Sequence, residues 1–283
     1  MTIIWPSPAK LNLFLYITGR QYDGYHRLQT LFQFLEYGDR LKIIPDNSGI
    51  IKLLTPVVEV PLQKNLILHA AQALKQIAIT RKILSVQAGA KISINKVLPI
   101  GGGLGGGSSN AATVLIALNY LWGTSLNEHE LISIGYQLGY DIPIFIRGRN
   151  LFVNGTKIQQ VELMEKWYLV LYPGININTH NIFHDPELTR NSPIRSLDEL
   201  LQLPFHNDCE LIVRKRFPEV NKLLLWLLKF VPARLTGTGS CVFCQFNSEA
   251  EAHQILDLCP KWITGFVTRG VNHSPLQQVV SKL

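Results

Sequence analysis

Cysteine is scarce in this sequence, and the four present, Cys209, Cys241, Cys244 and Cys259, all stand in its last third. That is too few for a secreted disulfide scaffold, so reduced thiols are expected. Cys241 and Cys244 form a C-x-x-C, but within CVFCQF, which reads as a buried strand whose alternation sends the two side chains to opposite faces. No second Cys or His pair accompanies them, and zinc or redox chemistry is not expected there. Long apolar runs are also missing. LLLWLLKFV, Leu223 to Val231, falls far short of the roughly 20 apolar residues of a membrane-spanning helix. No basic leader precedes the apolar residues of MTIIWPSPAKLNLFLYITGR, so the expectation is a cytoplasmic protein without membrane attachment. Charge is sparse too: 17% of residues are charged against 47% hydrophobic, with no tract of a single type, which excludes a disordered chain.

What is there is enough apolar material, over 283 residues, for two closely packed lobes. The formal charge of +7 favours anionic partners without choosing among nucleic acid, acidic lipid and phosphorylated small molecules. The densest basic cluster, Arg214-Lys215-Arg216, is short, is followed by Phe217-Pro218 and lacks interleaved aromatic residues. It reads as a solvated helix face, and nucleic acid is not the expected partner.

Along the chain, PAKLNLFLYITGR and YHRLQTLFQF alternate on both sides of a turn marked by Asp23-Gly24, and YGDRLKIIP reads as a further short strand. Asn65 to Ile77 has helical spacing behind an Asn cap; AKISI, from Ala90 to Ile94, alternates as a strand. Ser108 to Trp122 and Leu126 to Leu138 read as helices broken near Gly123, followed by GYDIPIF and the strand LFVNG. YLVLYP opens the second half, and a lobe boundary is placed there, giving segments 1–165 and 166–283. Polar, proline-containing sequence from Asn176 to Pro193 precedes helices at Ser196 to Leu203, Glu219 to Phe230 and Ser248 to Leu258, with strands at Cys241 to Phe246 and Thr264 to Thr268. Strands and helices mix without the beat of a doubly wound sheet, so the class is α+β.

The most informative stretch is PIGGGLGGGSS, Pro99 to Ser109, with six glycines in seven positions between a strand and a helix. Glycine lets amide groups converge on a ligand, and a helix start adds unpaired N–H groups and partial positive charge. Together they form an anion site suited to phosphate; a side chain at Gly103 is expected to block it. The loop is not a Walker A motif, because Gly107 stands where Lys would precede Ser108. Gly101, Gly103 and Gly106 satisfy G-x-G-x-x-G, yet a second helix follows instead of a strand and a ribose-binding acid. A protein-kinase reading lacks both H-R-D and D-F-G.

PIGGGLGGGSSNAA resembles the second motif of the GHMP small-molecule kinases, the superfamily of galactokinase, homoserine kinase and mevalonate kinase. PAKLNLFLYITGRQYDGYHRLQT is similar to the branch whose acceptor is a cytidine diphosphate-linked methylerythritol. LGYDIPIFIRG, RLTGTGSCVFCQF and IFHDPELTRNSP match further family segments in order, so the resemblance covers almost the whole chain. It implies an ATP-binding N-terminal lobe, a substrate-binding C-terminal lobe, and ATP-dependent phosphorylation of an alcohol; homoserine, mevalonate or a sugar is the alternative acceptor. Carried onto this chain, Pro99, Ile100, Gly101, Gly102, Gly103, Leu104, Gly105, Gly106, Gly107, Ser108 and Ser109 hold the ATP phosphates with Mg²⁺, while Asn65 and Lys96 face the adenine. Asp141 accepts the acceptor's proton and Lys10 stabilises its developing charge, with Asn12 nearby. Tyr25 and His26 read the cytidine, and Phe183 is a second stacking surface. From the residues alone, Lys10 is a surface lysine, Asp141 a turn residue, and Tyr25 and His26 the flank of a turn. No resident metal site is expected: His26 has no other His at useful spacing, and His180 and His184 lack a third ligand. Gly237 and Gly239 form a second glycine turn that either supports the phosphate site or connects a strand. One departure stands out: where the family reads Gly-Ala-Asp, this chain has Gly139-Tyr140-Asp141.

Overall fold

The structure, a computed structural model, describes residues 3–20, 24–57 and 59–283. Alternating apolar and polar side chains build a long opening hairpin, in which β1 (Ile4–Arg20) and β2 (His26–Asp46) pair antiparallel from Ile4↔Lys42 to Arg20↔His26. Asp23, expected in its turn, lies outside the described residues. The sequence predicts a break near Tyr37, yet β2 runs through it. Asp39 interrupts the apolar pattern but is fully buried and accepts from Lys96, Val97, Leu98 and Asn110. A carboxylate satisfied in this way is tolerated inside a strand.

Next come β3 (Ile51–Leu53), α1 (Leu66–Thr80) and β4 (Gly89–Asn95), with β4 on the edge of β2 and β3 parallel to β4. Helices α2 (Gly106–Leu121), α3 (Glu128–Leu138) and α4 (Ile142–Arg147) pack with α1 against the sheet, burying Leu74, Leu115, Ile142 and Phe145 with Leu41 and Ile92 in one core. Helix α4 carries no periodic signal, because Ile142 to Phe145 and Ile146 are all buried. Its marks are Pro143 in the first turn and Gly148 left-handed at the end. Strands β5 (Leu151–Asn154) and β6 (Lys157–Gln160) extend the sheet from β2.

The second half supplies β7 (Trp167–Tyr172), α5 (Thr179–His184), α6 (Leu197–Gln202), α7 (Glu210–Arg216) and α8 (Pro218–Leu227). It closes with β8 (Ala233–Leu235), β9 (Val242–Phe246), α9 (Glu249–Asp257), β10 (Thr264–Val271) and α10 (Pro275–Val280). The basic trio sits in the last turn of α7, where positive charge suits the helix dipole, and pairs with Glu210, Asp185 and Glu187. Cys241 and Cys244 enter different cores, as strand alternation requires.

The path β3-β4-β2-β10-β7-β9-β8 joins both halves through Gly270↔Leu35 and Val271↔Phe34. Chain order and packing then diverge. Leu15 and Ile17 of β1 lie in the core of the second half with Leu171, Leu223 and Val242, whereas Val271 and Leu276 pack into the first. Among the described residues no helix is long and apolar enough to cross a membrane.

Candidate active site

Between the two halves opens a cleft of about 440 Å³, lined by β1, the loop from Pro99 to Gly105, the start of α2, the first residue before α4, and the turn at Gly237 and Thr238. Lys10 and Asn12 are two apart on β1 and therefore share a face; Ala9, Leu11 and Leu13 occupy the opposite face in the core. The Lys10 ammonium is almost fully buried, donates to Asn12 Oδ1 at 2.6 Å and to the Gly103 carbonyl at 2.9 Å, and lies 3.9 Å from Asp141 Oδ2. Burial pulls its pKa below the ordinary lysine value, and the Asp141 carboxylate opposes that shift. Lys10 is thus no surface lysine. Asp141 ends the tight connection from α3 to α4, with its side chain 40% exposed toward the cleft.

The glycines divide by what they approach. At Gly103, with φ +77°, an added Cβ would run into the Thr236 carbonyl oxygen and come within 3.0 Å of that of Gly239. At Gly102 it would meet the Cys241 sulfur at 2.8 Å, at Gly105 the Phe145 ring at 2.6 Å, and at Gly101 the Asn176 Cβ at 3.1 Å. These four are therefore bare because the protein itself comes close, a requirement the phosphate reading does not contain. The second glycine turn is the neighbour: Ser240 and Cys241 donate their N–H groups to the carbonyls of Gly101 and Gly102 at 3.1 Å. Thr236 Oγ1 accepts from the Asn12 amide at 3.0 Å, and Asn207 Nδ2 donates to the Gly237 carbonyl at 2.8 Å. Gly106 is tight in a different way, its added Cβ meeting Lys96 Nζ at 3.2 Å and Leu98 at 3.4 Å, and Gly107 alone has room, with Leu66 at 3.6 Å. They begin α2, where unpaired N–H groups face the cleft.

Ser108 lines the cleft, and Ser109 does not. Ser109 is fully buried with its hydroxyl oxygen accepting from Ser7 Oγ at 2.9 Å, and its amide donates to the Gly105 carbonyl, so burial keeps the hydroxyl, and the helix hydrogen bond the amide, from an anion in the cleft. Asn65 borders the cleft, with its side chain capping α1 by accepting from the Ile67 amide. Lys96 is held at the start of α2 by the buried Asp39 at 2.7 Å, which places its ammonium beside Gly106. Asp39, Asn110, Thr236 and Asn207 were not singled out in the sequence; the T-G-T-G-S run was the legible sign of the last pair's neighbourhood.

Phe183 lines the far end of the cleft, and the His26 ring stacks on it at 4.9 Å with an interplanar angle of 26°. Arg190 and Arg20 both donate toward His26 Nε2, at 3.1 and 3.4 Å, so that nitrogen is an acceptor. Burial, then the two guanidinium groups and His184, push the His26 pKa down to about 4. Tyr25 is half-exposed, its ring 4.6 Å from that of Tyr140. His180 and His184 stack on each other at 3.8 Å, and His184 Nδ1 donates to the His180 carbonyl. Among the described residues no group of three or more His, Cys, Asp or Glu side chains gathers.

Two family models match this chain: "GHMP kinases N terminal domain" over residues 65–149 and "GHMP kinases C terminal" over residues 187–261, together more than half its length. The chain belongs to the GHMP kinase family. Its solved neighbours agree. A 4-(cytidine 5'-diphospho)-2C-methyl-D-erythritol kinase is 28% identical, with TM-score 0.80 over 95% of this chain and 99% of that one. The mevalonate kinase of Methanococcus jannaschii is 17% identical, with TM-score 0.70 over 96% and 99%. The homoserine kinase of Cytophaga hutchinsonii is 14% identical, with TM-score 0.62 over 96% and 94%. The last two share the fold, and this GHMP kinase is accordingly a two-lobed α+β, ATP-dependent small-molecule kinase.

Proposed function

We propose that this GHMP kinase transfers the γ-phosphoryl group of ATP to the 2-hydroxyl of 4-diphosphocytidyl-2-C-methyl-D-erythritol, giving the 2-phosphate and ADP. The observation that carries the chemistry is the gap between Lys10 and Asp141. At 3.9 Å the two do not share a direct hydrogen bond. Two of the three ammonium donors are spent on Asn12 and Gly103, and the third is left for an oxygen seated beside the pair, within hydrogen-bond reach of both. An acceptor hydroxyl bridging them from the cleft accepts from Lys10 and donates to Asp141.

The reaction then balances simply. The acceptor oxygen forms a bond to the γ-phosphorus as the bond from that phosphorus to the β,γ-bridging oxygen breaks; Asp141 takes the hydroxyl proton and ADP leaves. Lys10 offsets negative charge on the attacking oxygen, and the amides of Gly106, Gly107 and Ser108 hold the phosphates; Lys96, which the resemblance turned toward the adenine, has its ammonium beside Gly106 and is assigned to the phosphates instead. Mg²⁺ is bound in such sites mainly by phosphate oxygens with one or two protein oxygens, so the cleft needs no acidic cluster, and Ser108 and Asp141 supply oxygens able to hold it. When bound, it neutralises phosphate charge.

The acceptor assignment rests on the 28% identical neighbour and on the opening motif, of which Asn12 lines the cleft beside Lys10, while Phe183 lines it too and carries the stacked His26 ring outside the lining. In this reading Tyr25 stacks on the cytosine, and Phe183 does so with its face not covered by His26. Four free thiols, none paired, fit the cytoplasm, and the partners are small molecules rather than nucleic acid. The test is an ADP-release assay with the cytidine-linked polyol, set against homoserine, mevalonate and galactose. Turnover with the first and none with the others is the expected result. Folded protein that ignores it, or prefers another acceptor, overturns the assignment.

A further inference from the structure

Asp39 does not line the cleft, yet it fastens two sides of the phosphate cradle to a single point. It lies within β2, opposite Ser7 of β1, and is buried. Its Oδ1 accepts from the amides of Val97 at 2.8 Å and Leu98 at 2.9 Å, on the stretch that leads into the glycine loop. Its Oδ2 accepts from Lys96 Nζ at 2.7 Å and from Asn110 Nδ2 at 2.9 Å. Asn110 stands one turn beyond Gly106 on α2, and both it and Lys96 line the cleft. Lys96 Nζ also donates to the Leu98 carbonyl at 2.8 Å, so two of its three donors are committed and the third is left for an oxygen in the cleft. A carboxylate one hydrogen bond away from a polyphosphate site is electrostatically adverse to the ligand. What it gives in return is order.

Resting on the assignment of Lys96 to the phosphates above, we infer that Asp39 is a positioning residue for ATP, which fixes the Lys96 ammonium at one spacing from the start of α2 so that the polyphosphate meets a preformed cradle. A lysine free to swing on its four-carbon stem loses rotamer freedom when a phosphate stops it, and a buried carboxylate that already holds it removes that cost before binding. In Asp39→Asn the side-chain oxygen can still accept from the Val97 and Leu98 amides. The NH₂ group in place of Oδ2, however, faces two donors, Lys96 Nζ and Asn110 Nδ2, and releases both. Asp39 touches no phosphate in this scheme and acts through Lys96 and Asn110.

The experiment compares wild type with Asp39→Asn, Lys96→Met and the Asp39→Asn/Lys96→Met double variant. Binding of the non-hydrolysable ATP analogue AMPPNP is read by titration calorimetry below each thermal transition, and the KM values of ATP and of the acceptor are measured beside it. Asp39→Asn should weaken AMPPNP about ten- to a hundredfold and raise the ATP KM, with the acceptor KM unmoved. The sign decides: a carboxylate acting through its charge alone predicts tighter binding once neutralised, and a merely structural one predicts no change in the folded variant. Lys96→Met should also weaken AMPPNP, and in that background Asp39→Asn should cost less than about threefold more. A second measurement serves if Asp39→Asn does not fold: in NMR spectra of the wild type at neutral pH, the Lys96 ammonium, assigned by its loss in Lys96→Met, should be visible because Asp39 holds it from exchange with water, and should shift when AMPPNP is added. Wild-type or tighter AMPPNP binding by Asp39→Asn, an undiminished loss in the double variant, or a freely exchanging Lys96 ammonium overturns the inference and leaves the kinase assignment standing. Wild-type AMPPNP affinity in Lys96→Met overturns the phosphate role of Lys96 beneath it.

Discussion

Replacing Gly103 by Ala tests what the glycine loop is for. If the loop is bare only to admit phosphate, the variant should fold normally and lose ATP. The geometry forecasts a different result. Gly103 has φ +77°, a region that costs an L residue about 1–2 kcal/mol. Its Cβ would also press on the carbonyls of Thr236 and Gly239, an overpacking of about 1–3 kcal/mol. Together these destabilise the protein by about 2–5 kcal/mol, and at roughly 2–4 °C per kcal/mol for a chain somewhat smaller than this one, Tm falls by about 4–20 °C. Gly107→Ala is the matched control. That residue lies in α2 with nothing nearer than 3.6 Å to its added Cβ, so helix propensity leaves stability unchanged or raises it by up to about 1 kcal/mol. The assay is thermal unfolding followed by circular dichroism, with ATP affinity measured below the transition. A Gly103→Ala protein that melts with wild type and differs only in ATP affinity would refute the packing of the two glycine turns on each other.

Asp141→Asn keeps the shape of the turn and removes the proton acceptor, so kcat should drop by about 10²–10⁴ with ATP affinity nearly intact; wild-type kcat would show Asp141 misassigned. His26 makes a pH prediction. Its folded pKa of about 4 lies below the ordinary 6.5, so the unfolded chain binds the extra proton in that window. The contribution of neutral His26 to stability is full above pH 6.5 and is lost as pH falls toward 4. His26→Gln should flatten that part of the stability profile, and an imidazole that titrates at 6.5 or above in an NMR titration contradicts the arrangement with Arg20 and Arg190.

Much of the fold was legible because the signals were local. The Asn65 cap and the spacing behind it located α1, alternation located β4, the unbroken apolar run YLVLY located β7, and the strand reading of CVFCQF sent Cys241 and Cys244 into different cores. Where burial is complete, periodicity vanishes, and α4 was missed for that reason. The long β2 was split in two because Asp39 looks like a break until its four donors, contributed by residues 96–98 and 110, are in place. Ser109 read as a ligand because a hydroxyl at a helix start usually faces outward; Ser7, 102 residues earlier, turns it inward.

By itself the sequence determined that a strand, a run of glycines and a helix meet at Pro99 to Ser109, and that short motifs of a small-molecule kinase follow one another in order. Those are statements about neighbours along the chain, and local backbone physics suffices for them. Only the tertiary structure decided that four of the six glycines answer to Asn176, Phe145 and the turn from Thr236 to Cys241, and that Lys10 is buried 3.9 Å from a carboxylate 131 residues away. Close approach and desolvation depend on what the fold brings in from elsewhere, and no spacing along the chain encodes that distance.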